Sequence, residues 1–281
     1  MLNTIELQLA PLPRIARTVA QDLRALLRLS CTAWHVLRGL FIVTVLFPRL
    51  SEVQRQQHIG RWSRRVLRAM GVTLRAQGQL GPGAKMLVAN HVSWLDVMVL
   101  HALCPQARFV AKSEVRYWPL IGRLVAGAQT FFVERTRPQQ ARQTVAAITA
   151  ALRTGATVVV FPEGTTTNGH SVLPFRSSLL QAARVGATVV RPVALRYSDA
   201  HEHLSRDVPY IDNDTLLGSL WRTARAEQLV AEVRVLPALA GADADRRVLA
   251  VALRDAVQAA LHGQGHASQH HQTHPSHSAR P

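Results

Sequence analysis

From Val72 onward, short strand-like runs alternate with longer stretches of helical periodicity, and this alternation restricts the chain to few folds. The runs are "VTLRAQG", "KMLVA", "ARFVA", "TFFVE", "ATVVVF", "TVVRPVAL" and "VAEVRVL". Strands separated by helix-length segments pair in parallel, because a parallel pair needs a crossover of a dozen or more residues. The expected class is therefore α/β, with a largely parallel sheet flanked by helices. Two helices are well marked: residues 138–155, with Pro early and Gly at the end, and residues 243–263. A chain of 281 residues that is 48% hydrophobic can bury a full core, so one main unit with appendages is expected.

Before Val72 the texture differs. "WHVLRGLFIVTVLFP", residues 34–48, is interrupted by His35 and Arg38, and its uncharged part is about half of the roughly 20 residues that a spanning helix needs. A re-entrant or interfacial helix fits better than a clean span, with a buried core helix as the alternative. Next, Ser51 and Gln54 form a capping box that opens a helix which Gly71 closes. Along it Arg61, Arg64, Arg65 and Arg68 share one side, beside an apolar line of Trp62, Val66 and Met70. That pattern suits a helix lying on an anionic membrane, and equally an amphipathic helix packed on its own domain. Twelve arginines against Glu6, Asp22 and Glu52 in the first 80 residues favour the membrane.

The chain divides accordingly. Residues 1–70 are expected to be membrane-associating helices, residues 71–262 an α/β domain, and the polar, His-rich residues 263–281 a disordered tail. The early acidic residue and the lack of a basic start before a long apolar stretch argue against a secretory signal. Cys31 and Cys104 lie far apart without metal-ligand spacing, so neither a disulfide framework nor a zinc site is indicated, and a reducing cytosol is the default. The formal charge of +16 implies a surface that attracts phosphates, on lipid headgroups, nucleic acid or an acidic carrier protein.

The chemistry is best sought in "VANHVSWLDVM", where His91 and Asp96 stand five residues apart. On a continuous helix that spacing separates side chains by roughly 140°, and on a strand an odd offset sends them to opposite faces. They meet only if the chain turns between them. "KMLVA" is a strand, and Ser93 with Asp96 three residues later is an acidic version of the capping box, so a helix should begin near Ser93. His91 then occupies a strand-to-helix corner, where open α/β folds place their ligands. Asp96 would fix the imidazole tautomer and leave the other nitrogen free to take a proton. The competing reading has Asp96 merely capping the helix and His91 as a polar loop residue.

Three further stretches stand out. "VVVFPEGTTTNG" ends a strand in Pro162, Glu163 and Gly164; the glycine permits close backbone approach, and the glutamate is placed to bind or orient a polar group. "TFFVERTRP" sets Arg135 and Arg137 directly after a strand, able to grip a phosphate or to remain solvated. "VVRPVALRY" is broken by Pro192, which suits a ligand-facing bulge or an edge. The chain has no G-x-S-x-G nucleophile elbow, no phosphate loop, no dinucleotide fingerprint and no H-E-x-x-H zinc site, so the nucleophile is expected to come from the substrate.

These blocks, in this order, resemble the glycerolipid acyltransferases, in particular the bacterial 1-acylglycerol-3-phosphate acyltransferase family. Asn90, His91 and Asp96 match its N-H-x-x-x-x-D block and residues 161–165 its F-P-E-G-T block, while "TFFVER" and "RPVAL" look like its two remaining blocks. The resemblance covers roughly residues 30–235. It implies that His91 deprotonates a lysolipid hydroxyl, that the oxygen attacks a thioester of coenzyme A or acyl carrier protein, and that Asp96 orients His91. It assigns acceptor binding to Arg135 and to the Glu163, Gly164 and Thr165 turn. Neither a metal nor a resident cofactor is implied, and the site would take lipid at the cytoplasmic face of the cell membrane.

The acceptor implied first is 1-acyl-glycerol-3-phosphate, giving phosphatidic acid. The run "TTTNG" after the third block, where the family often has a basic or serine residue, keeps lyso-ornithine lipid open as the alternative. A non-enzymatic basic protein binding membranes or nucleic acid would explain the charge but not His91, Asp96 and Glu163 at successive strand ends. No helix-turn-helix or RNA-binding signature is present, so nucleic acid is not expected as a partner.

Overall fold

Each of the seven β-rich runs forms a strand, and the strands share one sheet. The computed structural model describes residues 14–134, 138–239 and 245–263. In chain order the elements are α1 (Arg14–Phe41), α2 (Glu52–Ala69), β1 (Val72–Gln77), β2 (Lys85–Ala89), α3 (Leu95–Leu103), β3 (Ala107–Lys112), α4 (Ile121–Gly127), β4 (Phe131–Val133) and α5 (Pro138–Arg153). They continue with β5 (Thr157–Val160), α6 (Leu180–Val185), β6 (Val189–Ser198), α7 (Leu216–Arg225), β7 (Leu229–Val235) and α8 (Arg246–His262). The sheet order is β1-β7-β6-β2-β5-β3-β4. Every neighbouring pair is parallel except β6 with β7, so the largely parallel sheet predicted from the sequence is present.

The strand period of two divides the core into layers. Leu87 and Ala89 of β2, Val159 of β5 and Leu195 of β6 pack toward Leu95, Val99 and Leu100 of α3 and Leu67 of α2. Met86, Val88, Val158 and Val160 face the other way, onto Ile148 and Leu152 of α5 and Leu249 and Leu253 of α8. β2 and β5 are buried along their whole length, as expected of central strands covered on both faces. Their carboxyl ends lie side by side, and the strand-end segments carrying His91 and Glu163 follow there.

Pro192 departs from expectation. It sits inside the sheet, buried, opposite Val88 of β2, and is neither an edge nor a ligand-facing bulge. The missing N–H is accommodated because the β6–β7 ladder ends at Val193. The Pro192 carbonyl still accepts from Leu236 N (3.0 Å), and the Leu236 carbonyl, which Pro192 cannot serve, accepts from Arg191 Nη1 (3.1 Å).

The N-terminal helix is longer than the apolar stretch suggested. α1 runs on through a π-turn (Ile42–Leu46) and a 3-10 turn (Phe47–Arg49). Among the described residues, Thr18–Arg49 is the one stretch long and apolar enough to cross a membrane. One side of it is occupied by protein: Arg28 Nη1 donates to the Ala224 and Ala226 carbonyls (3.0 and 2.7 Å) at the end of α7, and Trp62 Nε1 of α2 donates to the His35 carbonyl (2.8 Å). α2 opens with the expected capping box on Ser51 and Gln54, and Gly71, with φ +74°, follows its last turn. The expected tail lies outside the described residues, apart from its first residue, Gly263.

Candidate active site

The chain does turn between His91 and Asp96. β2 ends at Ala89, residues 90–93 form the corner, and α3 starts at Leu95. The acidic capping box forms by half: Asp96 Oδ2 reaches back to accept Ser93 N (3.0 Å) and also Val92 N (2.8 Å), while Ser93 Oγ accepts Leu95 N (3.4 Å) instead of the N3 amide. The same Oδ2 meets His91 Nδ1 at 2.7 Å. Both readings of Asp96 therefore hold at once, since it organises the helix start and grips the imidazole.

Accessibility separates the two roles. The Asp96 side chain is fully buried, whereas that of His91 is 22% exposed. With Nδ1 engaged as donor to a carboxylate, the imidazole is held in the tautomer whose Nε2 is a bare acceptor. Phe161 stacks on the ring, with centroids 4.1 Å apart and planes 12° from parallel, fixing its plane as Asp96 fixes its edge. The corner is tied further by Thr167 N to the His91 carbonyl (2.8 Å) and Tyr210 N to the Val92 carbonyl (3.0 Å).

Glu163 lies beside His91, but both of its oxygens are engaged. Oε1 accepts from His91 N (2.7 Å) and Oε2 from Leu173 N (2.9 Å), and the residue is buried. Burial raises its carboxyl above the usual carboxylate range, against the opposing pull of those two N–H donors. This placement makes Glu163 a strut between the two strand ends. Gly164 takes φ +78°, a left-handed conformation that favours glycine, and its N–H bonds the Phe161 carbonyl (3.2 Å). Thr165 is exposed at the mouth of the turn, and the hydroxyl of its neighbour Thr166 bonds the Tyr210 carbonyl. Arg135 and Arg137 lie outside the described residues.

Sequence reasoning missed Tyr197, and it named Asn90 only as part of the N-H-x-x-x-x-D block, without a task. Tyr197 of β6 is fully buried and donates its hydroxyl to Asp96 Oδ1 (2.6 Å). Asn90 continues the sheet past the end of β2, its Nδ2 donating to the Leu195 carbonyl (2.9 Å) and its Oδ1 accepting Leu195 N (2.7 Å). The only local signal was the period-two pattern of β6, extended two residues beyond "VVRPVAL".

A buried carboxylate and an oriented imidazole with one open nitrogen, to which no hydroxyl or thiol is bonded among the described residues, suit removal of a proton from a bound nucleophile. The comparisons agree in kind. A family model described as Acyltransferase matches residues 72–196. The chain is 34% identical over 243 residues to a lyso-ornithine lipid O-acyltransferase of Pseudomonas aeruginosa, spanning 84% of this chain and 89% of that protein. It is 32% identical over 180 residues to a 1-acyl-sn-glycerol-3-phosphate acyltransferase of Neisseria gonorrhoeae, spanning 64% of this chain and 69% of that one. The crystal structure of the 1-acyl-sn-glycerophosphate acyltransferase PlsC from Thermotoga maritima superposes with a TM-score of 0.67 at 18% identity, covering 89% of this chain and 98% of that chain, and so shares the fold. With sheet topology and sequence similarity pointing the same way, this chain belongs to the acyltransferase family.

Proposed function

We propose that the protein is a lysolipid O-acyltransferase in which His91 is the general base. The observation that carries this reading is the 2.7 Å contact of His91 Nδ1 with buried Asp96, which leaves Nε2 open on the accessible side of the ring. Nε2 takes the proton of the acceptor hydroxyl as its oxygen attacks the thioester carbonyl, and the imidazolium formed is stabilised by Asp96. The thiolate of coenzyme A or acyl carrier protein leaves and recovers that proton. Arg135 is proposed to contact the acceptor headgroup, and Thr165 to line the entrance.

The relatives name two acceptors. The match to the lyso-ornithine lipid enzyme runs through more of this chain than the match to the 1-acyl-sn-glycerol-3-phosphate enzyme, 84% against 64%. That supports lyso-ornithine lipid as first acceptor, with 1-acylglycerol 3-phosphate second, the reverse of the order the motifs alone imply. The uncovered apolar side of α1 supports attachment to a membrane surface, and use of a soluble thioester donor would put the reaction at the cytoplasmic face.

The test supplies purified protein with radiolabelled acyl thioester and a panel of the two lysolipids. Wild type is expected to label at least one, and His91→Ala to fall by about 10²- to 10⁴-fold, the usual worth of a positioned general base. Full transfer by the variant would defeat the mechanism.

A further inference from the structure

Asp96 has two carboxylate oxygens, and the corner uses only one. His91 Nδ1, Val92 N and Ser93 N all converge on Oδ2. Oδ1 is left in a site with no solvent exposure, where an unmatched carboxylate oxygen is costly. The partner comes from 101 residues away: the Tyr197 hydroxyl, at 2.6 Å. We propose that Tyr197 is a positioning residue of the acyl-transfer reaction, which sets through Asp96 how strongly His91 holds a proton. The proposal rests on the reading of His91 as the base.

The placement is built rather than incidental. Asn90, the residue before His91, clamps both backbone polar groups of Leu195 and so fixes the register of β6 against the corner. Two residues on, with the strand period of two, Tyr197 returns to the same face and lies under Asp96. Its own carbonyl is held by Ser205 N (2.9 Å). Burial and the adjacent Asp96 charge push the phenol well above its ordinary range, so it stays protonated and can only donate.

The direction of its effect follows from charge. An O–H donor on Oδ1 draws electron density from the carboxylate and weakens its pull on the Nδ1 proton. Remove the donor, and Oδ2 carries more of the charge facing the imidazole. The imidazolium is then stabilised, and the ring becomes available as a base only at higher pH. Among the described residues, the other ionisable group facing the pair is Glu163, from the turn after β5, already engaged with His91 N. His101, on α3 with Asp96, is separated from His91 by Phe109 and Phe161, and burial lowers it to about 4, so it carries no charge at neutral pH.

The experiment is the pH profile of kcat/KM, measured in mixed micelles with whichever lysolipid the wild type accepts. Tyr197→Phe removes one atom. The acidic limb is expected to move up by about 0.5–1 pH unit and kcat to fall several-fold with KM nearly unchanged. A purely structural tyrosine would lower the melting temperature and leave the limb in place, and that result overturns the proposal. Site-specific replacement of Tyr197 by 3,5-difluorotyrosine keeps the hydroxyl and makes it a stronger donor. The limb should then move down, and no shift, or a shift in the same direction as Tyr197→Phe, overturns the proposal even where the phenylalanine variant fails to fold. If His91→Ala retains activity, the base reading itself falls; if it is inactive and both Tyr197 variants keep the wild-type limb, the role of Tyr197 alone falls.

Discussion

Glu163 illustrates how a residue in a recognisable block can serve a task its position does not announce. A carboxylate accepts at both oxygens, and here both receive backbone N–H groups, from His91 and Leu173. A glutamine offers one acceptor and turns an N–H₂ toward the other donor. Glu163→Gln should therefore cost about 1–3 kcal/mol of stability by urea unfolding, the usual penalty for one buried polar group left unpaired. It should also lower kcat more than it raises KM, because the His91 backbone loses its anchor; a change in KM alone would favour direct substrate contact. His101 supplies a pH prediction with a definite sign. Its folded pKa is depressed from 6.5 to about 4 by burial, so the unfolded chain binds a proton that the folded one refuses between those values. Stability is full above about 6.5 and is lost as pH falls toward 4. His101→Leu should shrink the loss between pH 7 and pH 5 by about 2 kcal/mol, by linkage over that window, and an undiminished loss would contradict it. The pairing of His91 with Asp96 was readable because every requirement is local: a strand, a turn and a helix cap within twelve residues. Tyr197 and the strut role of Glu163 were not readable, because their partners lie 101 and 72 residues away and nothing in their own neighbourhoods encodes the meeting.

The elements follow the same division between local and distant causes. All seven strands could be read from short strand-like runs, and α2 from its capping box, because those signals act over a few residues. Short helices such as α4, α6 and α7 carry too few turns for periodicity to declare them; packing fixes them. Pro192 is the instructive failure: a rule about missing donors pointed to an edge, but the strand changes its pairing at that residue and Arg191 takes up the orphaned carbonyl. α1 is likewise held by contacts no local pattern shows. Arg28 caps the last turn of α7, and Asp22 and Arg24 of α1 pair with Arg225 and Glu227 at 3.0 and 2.8 Å. The exposed pairs contribute little, whereas the Arg28 bonds serve partly buried carbonyls. Arg28→Ala should therefore loosen α1 far more than Glu227→Ala. Limited proteolysis within α1 is expected to speed up several-fold in the first variant and hardly at all in the second; equal rates would place the latch elsewhere. Gly39 reports on the neighbouring seam, since a Cβ there would stand 2.7 Å from Trp62 Nε1.

For the molecule as a whole, the question is how the α/β body reaches an acceptor that resides in a lipid layer. α1 carries two stripes. One, through Ala25, Thr32 and Gly39, is buried against the body, and the other, through Val19, Leu23, Leu27, Trp34, Leu37 and Phe41, lies open, each of these more than half exposed. The open stripe can enter the interface while arginines of α1 and α2 meet anionic headgroups. Leu27, Trp34 and Phe41 can be changed to Ser together with little effect on folding, because they touch little of the protein. Each large apolar side chain withdrawn from water is worth roughly 1.5–3 kcal/mol, so the triple variant should bind anionic vesicles at least about 10³-fold more weakly in flotation. Its melting temperature should stay near wild type. Transfer to lysolipid embedded in vesicles should collapse with binding, while transfer to the same lysolipid in detergent micelles persists, because the corner of His91, Asp96 and Glu163 lies on the sheet and not on α1. Undiminished flotation would remove α1 from the contact and leave the basic face of α2 as the surface to test next.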